Sequence, residues 1–378
     1  MQVVTQKLEL PPLSLENTAG IRLMTVDIGT TTIAMQLYDV AGKVVDSFPS
    51  VNPQVGYGAD VLSRIEAAKN PEKAADMQKK VLDLIEKGVQ RFSKKLQTQE
   101  TLQMVVAANT TMTYLLMGWS PEELGKAPFR VSHTGVTKTR IAGVPCHIVP
   151  GLSAFVGGDI TAGILACGML EQEDPMLLID LGTNGEMALG NRHKLYACAT
   201  AAGPAFEGGV NRGIWGADMV RLLQKLLEEG LMDKQGLLQE PYFTEGVRIG
   251  DVLVTQESVR AVQLAKGAIA AGIEILTERY GIRLGDISKV VLAGGFGYYL
   301  NPKAAADIGL LPKKLTERTV TGGNTALSGA ALVGSRILTA DRDHPAEGTS
   351  QSDWDDLQKR QELQIHILNL AEEEKFPE

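Results

Sequence analysis

Met24 to Val26 is a short apolar run that stops at Asp27, and an apolar/polar alternation resumes from Ile33 to Tyr38. A third run, Val44 to Phe48, follows the Ala41-Gly42-Lys43 turn, so residues 22 to 48 predict three strands joined by tight turns. The period then lengthens. A helix is expected to start at Ala59 or Asp60 with Val61, Leu62 and Ile65 on one side. A long amphipathic helix over 71–97 follows, with Val81, Leu84, Ile85, Val89 and Phe92 as its core stripe. Leu102 to Ala107 reads as a strand running into Asn109 to Met112 and a helix onward to Met117, whereas 119–150 reads as an inserted loop or small sheet. The lead-in, residues 1–21, predicts no regular structure around Pro11 and Pro12.

The second half repeats the texture. Leu177 to Met187, LLIDLGTNGEM, is again an apolar strand, an Asp, a Gly-Thr turn and a resumed strand, with Lys194 to Ala199 as its third run. Helices are expected at Asp218–Glu229 and Thr255–Tyr280, the latter with Val259, Val262, Leu264, Ile269, Ile273 and Leu276 apolar. A turn-rich, strand-like stretch, Leu231 to Val254, lies between them. Lys289 to Gly297 is a buried strand ending in a Gly-Gly-x-Gly turn, and Leu363 to Leu370 is a candidate edge strand. Two stretches dominated by small residues, 157–168 and 322–332, close the two halves; such faces let helix backbones approach closely.

Two Asp-Gly-Thr hairpins, each opening one half, carry the candidate chemistry. Val26 to Thr32 reads VDIGTTT: backbone N–H groups and hydroxyls in such a turn suit a phosphate, and the aspartate at the strand end suits a hydrated Mg²⁺. Many turns read Asp-x-Gly-Thr for steric reasons alone, and Asp159 after Gly157-Gly158 also reads as a simple helix cap. A glycine-rich loop, Ala201 to Ala217, follows the second hairpin. At 378 residues and 44% hydrophobic composition, two domains of ordinary size are expected. The net charge of −8 excludes a nucleic-acid backbone as main partner, and no apolar run is long enough to span a membrane, so a cytoplasmic location is expected. Three scattered cysteines, Cys146, Cys167 and Cys198, with no C-x-x-C, predict buried free thiols and no iron–sulfur cluster in this chain.

In order, these motifs resemble the superfamily of acetate and sugar kinases, heat-shock chaperones and actin (ASKHA). Within it the chain is similar to the reductive activators of corrinoid proteins, through GYGADVLSRI (56–65), NTTM (109–112), LGKAPF (124–129), AAGPAFEGG (201–209) and AGGFGYYLNP (293–302). The resemblance implies an α/β fold of two RNase H-like domains with mixed sheets, closing on an interdomain nucleotide cleft. The domains are expected at 22–168 and 169–337, with an acidic linker and tail at 338–378.

It also implies ATP and Mg²⁺ as ligands. Asp27, Asp159 and Asp180 would surround the metal largely through water, with Asp159 placed to orient the attacking water. Gly29, Thr30, Thr31, Thr32, Gly182, Thr183 and Asn184 would hold the phosphates, with Gly203 and Asn324 nearby and Gly294, Gly295 and Phe296 beside adenosine. The implied reaction is ATP-driven return of a corrinoid protein or corrinoid methyltransferase from Co(II) to Co(I). The activators' ferredoxin-type cysteine motif is missing, so electrons are expected from a separate ferredoxin-type donor. A homodimer is compatible, with Tyr298-Tyr299 as a candidate contact. Two other classes fit the same motifs: a small-molecule (sugar or acyl) kinase using Arg130, His133 and Arg140 for an anionic acceptor, and a nucleotide-dependent binding module.

Overall fold

The computed structural model describes residues 8, 13, 15, 20–182, 184–200, 202–203, 216–250, 252–297, 300–343 and 364–370. The chain forms two compact units. One comprises Leu10–Gly168 with Thr325–Leu363; the other comprises Met169–Asn324 with Met1–Glu9 and Gln364–Glu378.

The first-half unit is built on a meander of β1 (Ile21–Ile28), β2 (Thr32–Tyr38) and β3 (Val44–Val51). Strand β4 (Thr101–Ala108) lies parallel to β1, and the hairpin β5 (Thr137–Ile141)–β6 (Val144–Ile148) completes the order β3-β2-β1-β4-β6-β5. Residues 137–148 are therefore part of the main sheet, with β6 parallel to β4, rather than a separate insertion. Helix α1 (Val61–Ala68) is capped by Asp60, and α2 (Pro71–Ser93) by Asn70 with Pro71 in its first turn. The stripe of α2 packs on the sheet as expected, but α1 turns differently: Leu62 is 55% exposed while Arg64 is fully buried. The lead-in also departs from expectation, because Leu15 is buried beside Tyr38 and donates its N–H to the Val40 carbonyl.

Helices α3 (Thr110–Met117) and α4 (Gly158–Ala166) follow β4 and β6. The opposite face of β1 and β4 is covered by α4 and α10 (Thr325–Asp343). The two small-residue stretches meet here: a Cβ added to Gly329 would lie 1.9 Å from the Ala162 carbonyl oxygen. Helix α10 thus joins the first-half unit although it follows the last core strand of the second, whereas the sequence suggested one continuous domain over 169–337.

The second-half unit repeats the plan. Its meander is β7 (Met176–Leu181), β8 (Gly185–Gly190) and β9 (Lys194–Thr200), and it carries α5 (Gly216–Glu228), the short α6 (Tyr242–Glu245) and the hairpin β10 (Val247–Ile249)–β11 (Val252–Val254). Helix α7 (Gln256–Tyr280) packs on β8 and β9. Its buried stripe runs through Val259, Val262, Ala265, Ile269, Ile273 and Leu276; Leu264, expected inside, is 76% exposed because it falls off that face. Strand β12 (Lys289–Ala293) leads into the single turn α8 (Gly294–Gly297), then α9 (Pro302–Asp307), β13 (Thr319–Gly323) and the tail strand β14 (Gln364–Ile367). The sheet order is β13-β12-β7-β8-β9-β14, with β12 parallel to both β7 and β13. Five strands in each sheet therefore share one arrangement: a three-strand meander whose first strand is followed, on its other side, by two successive strands parallel to it. The tail strand pairs with β9 in parallel, and His366 stacks on Tyr196 at 4.5 Å.

Candidate functional site

Each unit presents its Asp-Gly-Thr turn at the carboxyl edge of its parallel strands, the edge where α/β sheets bind ligands. In the first-half unit the turn is closed by Gly29 N–H to Thr32 O at 2.9 Å. Asp27 is level with Ala107 on β4, and α4 begins against the same edge. Gly157 and Gly158 are required there: a Cβ on Gly157 would lie 2.4 Å from the Asn109 Cα, and one on Gly158 would lie 2.2 Å from the Val149 carbonyl oxygen. That close docking brings Asp159, in the first turn of α4, to the edge that carries Asp27. The helix cap is Gly157; Asp159 instead accepts from the Ile160 N–H at 2.9 Å. Burial raises its carboxyl to about 6, well above the ordinary aspartate range.

The turn itself rests on buried polar groups. Asn52 donates its side-chain amide to the Gly29 carbonyl and its backbone N–H to the Thr31 carbonyl, both at 2.8 Å. Arg64 donates to the Thr30 carbonyl, and Asn109 donates to the Thr30 hydroxyl at 3.2 Å while capping α3. Thr30 is buried and braces the turn, while Thr31 and Thr32 are more open. Asn52 and Arg64 carried no assigned role in the sequence. Their signal was the polar pair Asn52-Pro53-Gln54 and a lone arginine at a position where a helix face should be apolar.

In the second-half unit the turn is one residue shorter, closed by Gly182 N–H to Asn184 O at 2.9 Å. Strand register aligns Asp180 with Ala293, and Ala293 with Gly323, so Asp180, Gly294 and Asn324 share the carboxyl edge of three adjacent strands. Gly294 has φ +87°, and a Cβ there would lie 2.6 Å from both Asp180 Oδ1 and the Leu181 carbonyl oxygen. Gly294→Ala is expected to cost about 1–3 kcal/mol through left-handed strain and this clash, read as a lowered thermal midpoint of the nucleotide-free protein. Glu186 lies directly opposite Asp180 in the hairpin, on the same sheet face, buried, and accepts from Asn184 Nδ2 at 3.3 Å. The first hairpin has Ala34 at the matching place. Gly203 follows β9, whose last residue, Thr200, pairs with Gly185 beside the turn. Thr183, most of the 201–217 loop, Tyr298 and Tyr299 lie outside the described residues, as do the surroundings of Gly295 and the side chain of Phe296.

Arg140 lies away from the first turn, at the amino edge of β4, lining a cavity of about 610 Å³ with Ser93, Gln97 and Glu100. His133 instead stacks on Trp119 at 3.8 Å. Arg140 and His133 therefore do not form one acceptor pocket. Among the described residues no three His, Cys, Asp or Glu side chains gather as a metal cage. The three cysteines are buried thiols not joined in a disulfide, and burial holds the Cys146 thiol up at about 12. No helix among the described residues is long and apolar enough to cross a membrane.

Comparison with known proteins gives this geometry a family. Residues 23–172 match the model of the RACo middle region, and residues 174–212 and 209–344 match that of the C-terminal domain of RACo, the ASKHA domain. The corrinoid activation enzyme RamQ of Eubacterium limosum is 32% identical over 374 residues, a match covering 81% of this chain and 63% of the relative. The [Co(II) methylated amine-specific corrinoid protein] reductase of Methanosarcina barkeri is 26% identical over 235 residues, covering 48% and 43%. A solved reductive activator for corrinoid, iron-sulfur protein superposes with a TM-score of 0.80 at 29% identity, covering 95% of this chain and 65% of the other. The chain thus spans less than two thirds of the length of each of these relatives. It belongs to the RACo family, of which it carries the middle region and the C-terminal ASKHA domain.

Proposed function

We propose that this chain is an Mg-ATP-dependent ATPase that drives the reductive reactivation of a corrinoid protein from Co(II) to Co(I). The observation that carries the reading is the recurrence of one carboxylate-tipped phosphate turn on two sheets of the same strand arrangement, in a chain whose relatives are named for corrinoid activation. Backbone N–H groups of Thr30–Thr32 in the first turn, and of Asn184 in the second, are offered to phosphate oxygens of ATP, since the Gly29 and Gly182 N–H groups close the turns themselves. Asp27 and Asp159 on one sheet edge, and Asp180 on the other, would hold waters of Mg²⁺, which when bound would neutralise charge building on the phosphoryl oxygens. Gly294 keeps the backbone beside Asp180 low enough for a nucleoside to approach, with Gly295, Phe296 and Asn324 adjacent. Asp159 accepts a proton from the attacking water, yielding ADP and phosphate.

Nucleotide moves a partner's equilibrium only through differential affinity for two states of the complex. The ATP-bound state favours a corrinoid complex in which the cobalt accepts one electron from a separate ferredoxin-type donor. The decisive experiment mixes the protein with a Co(II) corrinoid protein, a low-potential ferredoxin and MgATP, and follows the Co(I) absorption band. Co(I) accumulating only with all components supports the reading; formation indifferent to ATP, or ADP release that requires a sugar or acyl acceptor, refutes it. Within this scheme Asp180→Ala is expected to weaken MgATP binding by about tenfold or more, measured by calorimetry.

A further inference from the structure

Three consecutive carbonyls of the first phosphate turn are tied from one side. Asn52 holds the carbonyls of Gly29 and Thr31, and Arg64 holds that of Thr30 between them. In a trans peptide the C=O and the following N–H point in opposite directions. Pinning these carbonyls toward the buried Asn52 and Arg64 therefore aims the N–H groups of Thr30, Thr31 and Thr32 the other way, together. Successive N–H groups aimed to one side make an anion-binding concavity.

Arg64 is placed for this by its own surroundings. Its guanidinium is fully buried, and it also donates to the Gly58 carbonyl at 3.0 Å, to Gln54 Oε1 at 3.4 Å and to Met112 Sδ at 3.3 Å. Gly58 allows the approach, since a Cβ there would lie 2.4 Å from the Ser63 Cβ. Asn52 is likewise fully buried, with its Oδ1 accepting from Gln54 N–H at 2.9 Å. A planar guanidinium serves two carbonyls at fixed angles; an ammonium in the same space is a point donor.

We propose that Arg64 and Asn52 are positioning residues for phosphate binding: they set the direction of the turn's N–H groups without touching the nucleotide. This deepens the ATP reading above and rests on it. The test compares Arg64→Lys and the milder Asn52→Ala with the wild-type chain, using calorimetry with MgATP and with adenosine. The expected result is a loss of about tenfold or more in affinity for MgATP, with adenosine affinity changed by less than about twofold. Equal losses for both ligands would mean general damage and would overturn the proposal, as would unchanged MgATP affinity. Should Arg64→Lys show no cooperative unfolding, Asn52→Ala decides alone.

Failure of the nucleotide reading itself looks different: the wild-type chain then binds neither ligand. In that case amide hydrogen exchange of residues 29–33 still judges the clamp. It is expected to accelerate by about tenfold in the variants relative to the core strands, and unchanged exchange overturns it.

Discussion

Gly329→Ala is expected to destabilise the protein by about 3 kcal/mol or more. The added carbon would lie 1.9 Å from the Ala162 carbonyl oxygen, 2.3 Å from the Ala162 carbonyl carbon and 2.6 Å from the Ala162 Cα. All three are atoms of one residue's backbone and cannot rotate away, so α4 and α10 must separate. That separation loosens the layer formed by Ala162, Ala326, Ala330 and Ala331 over Leu23 and Val105. It also disturbs the helix whose first turn carries Asp159. A urea titration followed by circular dichroism reads the loss. Gly267→Ala on α7 is the control: the added carbon meets nothing within 4 Å, so helix propensity alone should make that variant slightly more stable. Equal behaviour of the two variants would contradict the α4–α10 contact.

Asp159→Asn is expected to reduce ATP turnover by about 10²- to 10⁴-fold while making the nucleotide-free protein more stable at neutral pH. Both effects come from one cause. Burial raises the Asp159 carboxyl to about 6 in the folded chain, against the ordinary value of 3.8. The folded state therefore binds the proton more tightly. Its stabilising contribution is complete below the unfolded value and is lost as pH rises through the folded one. Stability of the wild-type chain should fall across roughly pH 4 to 6 and stay lower above that. Asparagine carries no charge to desolvate, so the variant loses this slope and gains on the order of 1–2 kcal/mol at pH 7, discounted because the side chain is only partly buried. Thermal melts at pH 4 and pH 7 measure the slope. Turnover should fall in the wild type as pH is lowered, since the protonated carboxyl cannot accept a proton from water. A variant with normal turnover removes Asp159 from the hydrolytic step; a variant with unchanged slope removes burial as the source of the shift.

Much of the molecule was legible along the chain because its signals are local. Strand period, turn residues and helix caps act over a few positions, so the two hairpins, the stripe of α2 and the edge strand after the linker could be read directly. Readings failed where an apolar residue was assumed to face inward because it was apolar. Leu62 and Leu264 are exposed, and Arg64 takes the buried place on α1 because the Thr30 and Gly58 carbonyls need a donor there. Nothing within a helix's own span announces such acceptors. The lead-in failed for a related reason: Leu15 is buried by residues far along the chain, among them Ile337 and Leu338.

By itself, then, the sequence determined the duplicated hairpins, their aspartates and the small-residue helices, since each depends on residues adjacent in the chain. Tertiary structure alone decided which helix joins which unit, that Glu186 faces Asp180, and that Asn52 and Arg64 orient the first turn. Those relations are set by strand register and by hydrogen-bond partners distant in sequence, and a one-residue shift in register would erase them without altering any local pattern.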